Sequence, residues 1–287
     1  KYEDYHSVTY SQEAIDACSQ AHGGVVLVDN GVFLINGITL KSNVELRLTA
    51  SATLLGSTDY RKYPQDTKFA FKYVIRSLIY AQDCRHIAIT GAGKIDGQGK
   101  LMKVDSASDR PDLIVLHDCT AVRIENVFIT NSNMFGVFLL HCGQLRIDGV
   151  RLENLQCPNN DGFDIDGCHD VFISNCYINT VDDCLAFKSS SKQTPCSDIM
   201  VSNCILTSRC AAIRFGPDTL GNIEKEVVTN CIIRNTGLNG IKIEESLGAV
   251  MRNMTFSNIV MDNVKGPISI RLAGWSAGPY VQSWTFF

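Results

Sequence analysis

The chain has 287 residues, 45% of them apolar, with a mean hydropathy of +0.02 and a net charge of −4. That length suits one large domain or two small ones around a substantial core. No apolar run reaches the roughly 18 residues of a membrane helix, and the lack of a Lys/Arg block argues against nucleic acid as a partner.

The opening segment, Lys1 to Val8, is polar and has no apolar core of the kind a signal peptide needs. A leader already removed keeps a secreted or periplasmic location open. Residues 9–22 predict an N-terminal cap helix. Thr9 or Ser11 is placed to cap it, Ala14, Ile15, Cys18 and Ala21 form its apolar stripe, and Gly23-Gly24 ends it. The stretch 93–112 has no periodicity and reads as a loop beside a groove.

From Cys119 onward the chain repeats itself. The frame Cys119-Thr-Ala-Val-Arg-Ile-Glu-Asn126-Val-Phe-Ile129 returns from Cys142, Cys168, Cys196, Ile223 and Met251 at intervals of 23, 26, 28, 27 and 28 residues, and Cys84 to Gly91 precedes it. Apolar and polar residues alternate within each frame, as in strands with one buried face. A second strand follows in each repeat: Phe135 to Leu139, Asp161 to Ile165, Asp183 to Phe187, Ala211 to Phe215, Asn239 to Ile243 and Gly266 to Ile270. Short strands at this period without crossover helices predict an all-β fold, a right-handed single-stranded parallel β-helix occupying 1–287 as one domain. The last recognisable coil lies close to the final residues, Trp284 to Phe287.

The repeat explains many polar residues structurally. Asn126, Asn175, Asn203, Asn230 and Asn258 share one turn position, where stacked amides can bond from coil to coil. Cys119, Cys142, Cys168 and Cys196 share one column, where a small thiol packs in the core. The twelve cysteines contain no CxxC pair, so neither a metal site nor a disulfide framework is expected from their spacing.

The acidic residues at the start of the second strand are different. Asn159-Asn160-Asp161-Gly-Phe-Asp164-Ile-Asp166 lies on one coil and Asp182-Asp183 on the next. Coils about 4.8 Å apart stack Asp161 on Asp183 with Asp182 beside them. Like charges at that range push at least one pKa upward, and glycoside hydrolysis needs one protonated carboxyl and one ionised. Alternation turns Asp182 outward, in phase with Ala186 and Lys188, and would turn Asp183 inward, although that rule loosens at a turn.

These motifs resemble those of the polygalacturonases, the pectin-degrading glycoside hydrolases of family twenty-eight. Gly93-Lys-Ile-Asp-Gly-Gln-Gly99 resembles the family's G-x-I-D-G-x-G, Asn159 to Asp164 its N-T-D-G-x-D, and Asp182 to Ser189 its D-D-C-x-A-x-K-S. The resemblance implies a parallel β-helix, no cofactor and no metal, a uronate-containing polysaccharide or oligosaccharide as substrate, and a monomer with no membrane partner. It implies Asp182 as general acid, Asp161 and Asp183 as activators of water with inversion, and Asn159 as an orienting residue. It also implies a disulfide between Cys184 and Cys210.

Two family motifs are altered. Cys210-Ala211-Ala212 stands where the family has G-H-G, and Lys242-Ile243-Glu244 where it has R-I-K. Lys188, Arg214, Lys242 and Arg271 lie outward on successive coils, so this stripe, with Asp164 and Glu244, is assigned to substrate binding. Two other readings stand beside hydrolysis. One is a polysaccharide lyase, with Ca²⁺ on Asp161, Asp164 and Asp183 and Arg214 or Lys242 as base. The other is a carbohydrate-binding β-helix that does not turn over.

Overall fold

The computed structural model describes residues 6–7, 10–66, 68, 75–245 and 247–272. Its strands pair in parallel, coil upon coil, into a right-handed β-helix. Each central coil holds three strands where the repeat predicts two. The coil from Gly143 runs Gly143–Asp148, Arg151–Asn154 and Phe163–Asp166, and the next runs His169–Ser174, Tyr177–Thr180 and Leu185–Ser189. The repeat frame breaks at its asparagine, which is a corner and not a mid-strand position.

Asn126, Asn175, Asn203, Asn230 and Asn258 all have φ between 52° and 63°. That left-handed conformation is one asparagine tolerates better than most residues. Amide stacking is partial: Asn258 Nδ2 donates to Asn230 Oδ1 at 3.1 Å, while Asn175 Nδ2 donates instead to Asp148 Oδ1 at 2.8 Å. The corner is therefore selected mainly by backbone shape.

Inward side chains stack into one core, with Leu139, Ile165, Phe187, Phe215 and Ile243 in a single file and Phe187 parallel to Phe215 at 5.0 Å. Cys119, Cys142, Cys168 and Cys196 are fully buried within it, as their column predicts.

The cap helix spans Tyr10–Gln20. Its stripe is narrower than expected, because Ile15 is buried and Cys18 half-buried while Ala14 and Ala21 are exposed. Ser11 lies inside the helix, so it is not the cap, and Thr9 falls outside the described residues. Trp284 to Phe287 also fall outside them.

The stretch 93–112 is not wholly a loop. Lys94–Asp96 is a strand paired to Phe128–Thr130, with Ile95 in the core, and two short 3₁₀ turns follow, Gly99–Leu101 and Ala107–Asp109. Three residues are too few to show an alternation in the sequence.

Candidate active site

The site lies at the corner between the second and third strands, where Asp161 and Asp183 occupy the same position on neighbouring coils. Gly162 allows the close approach, since a Cβ there would lie 2.3 Å from the Cys184 carbonyl oxygen. Asn160 builds the turn. Its Oδ1 accepts the N–H groups of Gln156 and Cys157, and its Nδ2 donates to the carbonyls of Ser132 and Met134. The carbonyl of Asp182 is held by two hydroxyls, Thr180 at 2.6 Å and Ser208 at 2.5 Å.

Asp182 is half-buried and faces the opening, where Asn159 Nδ2 lies 3.4 Å from its Oδ2. Asp183, 2% exposed, does not follow alternation into the core. Its Oδ1 accepts the Ala211 N–H at 3.1 Å and its Oδ2 the Arg214 Nη1 at 3.2 Å. Burial raises the pKa of Asp183, opposed by Arg214. Asp161, also buried, is pushed well above the usual carboxylate range by burial and by the neighbouring Asp164 and Asp183, and its Oδ1 has no partner among the described residues. Asp164 is fully buried and paired with Lys188, and burial still brings it to about 6.

The basic stripe is tied up internally. Lys188 binds Asp164, Arg214 Nη2 binds Glu244 Oε2 at 2.7 Å, and Lys242 binds the same oxygen at 2.9 Å, while Arg271 is largely exposed and approaches Glu244 Oε1 only to 3.9 Å. Burial would raise Glu244, but Lys242 and Arg214 outweigh it and hold the carboxyl below its ordinary range. Thus the structure brings Asn159, Asp161, Asp164, Asp182, Asp183, Lys188, Arg214, Lys242 and Glu244 to one stretch of surface, with the cations facing protein carboxylates.

Cys184 and Cys210 do not form the expected disulfide; both are free thiols. Cys184 points into the core, 3.0 Å from the Thr207 carbonyl oxygen, whereas Cys210 faces the carboxylates of Asp182 and Asp183. Burial, then those two charges, push the Cys210 thiol upward, so it remains protonated.

Two residues of the site carry no mark in the sequence, Arg110 and Asp112. Arg110, from the aperiodic stretch, donates to Asn159 Oδ1 at 3.0 Å and to the carbonyls of Asn133 and Pro158, bracing the turn before Asp161. Asp112 lies in the same column as Asp161, two coils earlier, and accepts the Phe135 N–H. Arg110 lies in the aperiodic stretch, and Asp112 stands at its end, where the long gap between the Cys84 and Cys119 frames hides the strand that Asp112 begins.

Asp182, Asp183 and Cys210 offer ligand atoms within 4.8 Å of one another, and so do His117, Asp118 and His141 elsewhere. Neither suits calcium, which takes six to eight oxygens. Both Asp183 oxygens are already engaged, and the Lys68 ammonium sits on Asp118. The calcium set expected for a lyase fits no better, because Asp164 and Asp183 each hold a protein cation and Arg214 is fixed between two carboxylates.

The sequence profile of the glycosyl hydrolases family 28 matches residues 18–276. The chain belongs to this family. It is 30% identical over 192 residues to a probable polygalacturonase of Arabidopsis thaliana, covering 66% of this chain and 41% of that protein. It is 28% identical to a probable polygalacturonase of Vitis vinifera, covering 94% and 59%. The chain thus spans about half the length of these curated relatives. Among solved structures, the family 28 exopolygalacturonase of Yersinia enterocolitica superposes with a TM-score of 0.83 at 22% identity, covering 92% of this chain and 58% of that one. The Erwinia carotovora polygalacturonase superposes at 0.82 and 22% identity, covering 98% and 82%. At that identity the likeness establishes the β-helix. The motif departures at Ala211 and Lys242-Ile243-Glu244 therefore lie inside a family 28 fold.

Proposed function

We propose that the chain hydrolyses a glycosidic bond in an acidic, pectin-type polysaccharide or oligosaccharide. One observation carries this reading: Asp161, Asp182 and Asp183 converge at one corner in unlike environments. Asp182, on the opening and oriented by Asn159, donates a proton to the glycosidic oxygen. Asp183, held by Arg214 and the Ala211 N–H, is the carboxylate that accepts a proton from the attacking water. Asp161, without a cation of its own, is the neutral neighbour that donates a hydrogen bond.

The nearest oxygens of Asp182 and Asp183 lie within 4.8 Å. Inverting enzymes separate their two carboxyls by roughly 6.5–9.5 Å to admit water. Inversion therefore rests on family membership and not on this spacing, and proton NMR of the first-formed anomer tests it. Export belongs to the same proposal, because a polymeric substrate of this kind is met outside the cell.

Asp182→Asn should abolish release of reducing ends from polygalacturonate and decorated pectins with an unchanged thermal melt. Undiminished turnover would refute the assignment. Binding without turnover by the parent protein across such a panel would favour a carbohydrate-binding role.

A further inference from the structure

A sugar carboxylate reaching the sheet face meets cations that already face protein carboxylates: Lys188 faces Asp164, Arg214 faces Asp183 and Glu244, Lys242 faces Glu244, and the more exposed Arg271 lies 3.9 Å from Glu244. A cation without a protein partner offers an acidic sugar its full charge. The corner that carries Asp182 supplies two. On the following coils it continues through Arg209, Gly237 and Lys265, and there a cleft of 450 Å³ opens. The Arg209 N–H donates to the Thr180 carbonyl at 3.1 Å, and the Thr180 hydroxyl holds the carbonyl of Asp182, so Arg209 shares the turn that positions the acid.

Arg209 and Lys265 are exposed, and neither has an ion-pair partner among the described residues. Two coils separate them, about 10 Å along the axis. Between them Gly237 packs directly on the Arg209 backbone, where a Cβ would lie 2.0 Å from the Arg209 carbonyl oxygen, and Thr236, Val264, Asn235 and Asn263 complete the lining. Asn263 Nδ2 donates to Asn235 Oδ1 at 2.8 Å, which leaves the Asn235 amide N–H groups and Asn263 Oδ1 for a ligand's hydroxyls. Two cations flanking a cleft with free amide donors and acceptors suit a hydroxylated sugar ring bearing a carboxylate.

We propose that Arg209 and Lys265 form a subsite for the carboxylate of a uronate residue, displaced from the cleavage point toward the C-terminal coils. The proposal depends on the hydrolase reading for the position of cleavage and not for binding. In this arrangement the corner, and not the sheet-face stripe, distinguishes acidic from neutral sugars.

Titration calorimetry in an Asp182→Asn background, with an oligogalacturonide and with its methyl ester, tests the subsite separately from turnover. Arg209→Ala and Lys265→Ala should each weaken the acid oligomer by about tenfold, and the double variant by about a hundredfold. Binding of the ester should not change, and added salt should erode the preference for the acid. Arg209→Gln and Lys265→Gln provide a second pair should the alanine variants fail to fold. The subsite is overturned if the double variant binds the acid like its parent, if acid and ester weaken together, or if the parent does not bind the acid in preference to the ester. Failure of the hydrolase reading would show separately, as a parent protein that releases no reducing ends.

Discussion

Arg214 Nη1 lies 3.2 Å from Asp183 Oδ2, while Asp161, stacked on Asp183 one coil earlier, keeps one oxygen without any partner among the described residues. The pair is thus divided by a single guanidinium. A neighbouring cation favours the charged form of a carboxyl, so Arg214 opposes the upward push of burial at Asp183 and favours ionisation there over Asp161. Arg214 is fixed in turn by Glu244, whose own charge Lys242 supports. The altered family motifs have become one connected network.

Removing that guanidinium should raise the pKa of Asp183. A base works only when ionised, so the acidic limb of the kcat/KM profile should move to higher pH in Arg214→Met, by about one unit or more, with a rate loss on the order of 100-fold. Arg214→Lys should restore part of the limb, since it returns the charge without the two-pronged geometry. A limb that stays in place in both variants would mean that Arg214 does not govern the base.

The two stacked carboxyls should then respond differently to amide replacement. Burial and its acidic neighbours push Asp161 well above the usual carboxylate range, and the proposed division of roles makes it the neutral member. Asp161→Asn therefore swaps one neutral group for another and should cost about tenfold or less, whereas Asp183→Asn should cost about 1000-fold. Steady-state kinetics at the pH optimum decides this, and equal losses would overturn the division of roles.

The solenoid and its acidic corner were legible in the sequence because they recur: the Cys119 frame returns on every coil, and Asp161 and Asp182-Asp183 sit at equivalent points within it. The pairing of the charges was not legible. Reading columns puts Arg214 beside Lys242 and Lys188 beside Asp166, and these are the direct lateral neighbours. The bonds run diagonally instead, Lys188 to Asp164 and Arg214 to Glu244, because long side chains reach two residues along the next strand. Arg110 was invisible for another reason, since it comes from the aperiodic stretch.

The asparagine corner separates backbone shape from amide bonding. Asn203 has φ 57°, and its neighbours in the column show only partial amide pairing. Asn203→Gly should leave stability within about 0.5 kcal/mol, while Asn203→Val should cost about 1–2 kcal/mol through left-handed strain. Urea unfolding measures both, and a glycine variant as damaged as the valine one would restore the amide ladder as the main cause.

Glu226 is a charge-capable group inside the solenoid, 1% exposed, on the inward register between Ile199 and Met254, with Oε1 unpartnered among the described residues. Burial pushes its pKa from the ordinary 4.5 up to about 9. Below pH 4.5 both folded and unfolded chains carry it neutral, so burial exacts no ionisation penalty there. Between 4.5 and about 9 the unfolded chain releases the proton and the folded one keeps it, so stability declines as pH rises through that window. Glu226→Gln preserves the shape and removes the titration. It should match the parent near pH 4 and exceed it by several kcal/mol, up to about 5, at pH 8. Taking the difference between the two proteins cancels the shared titration of Asp161 and Asp183. Denaturant unfolding at both pH values reads it directly, and parallel pH–stability curves would show that Glu226 ionises without penalty in the fold.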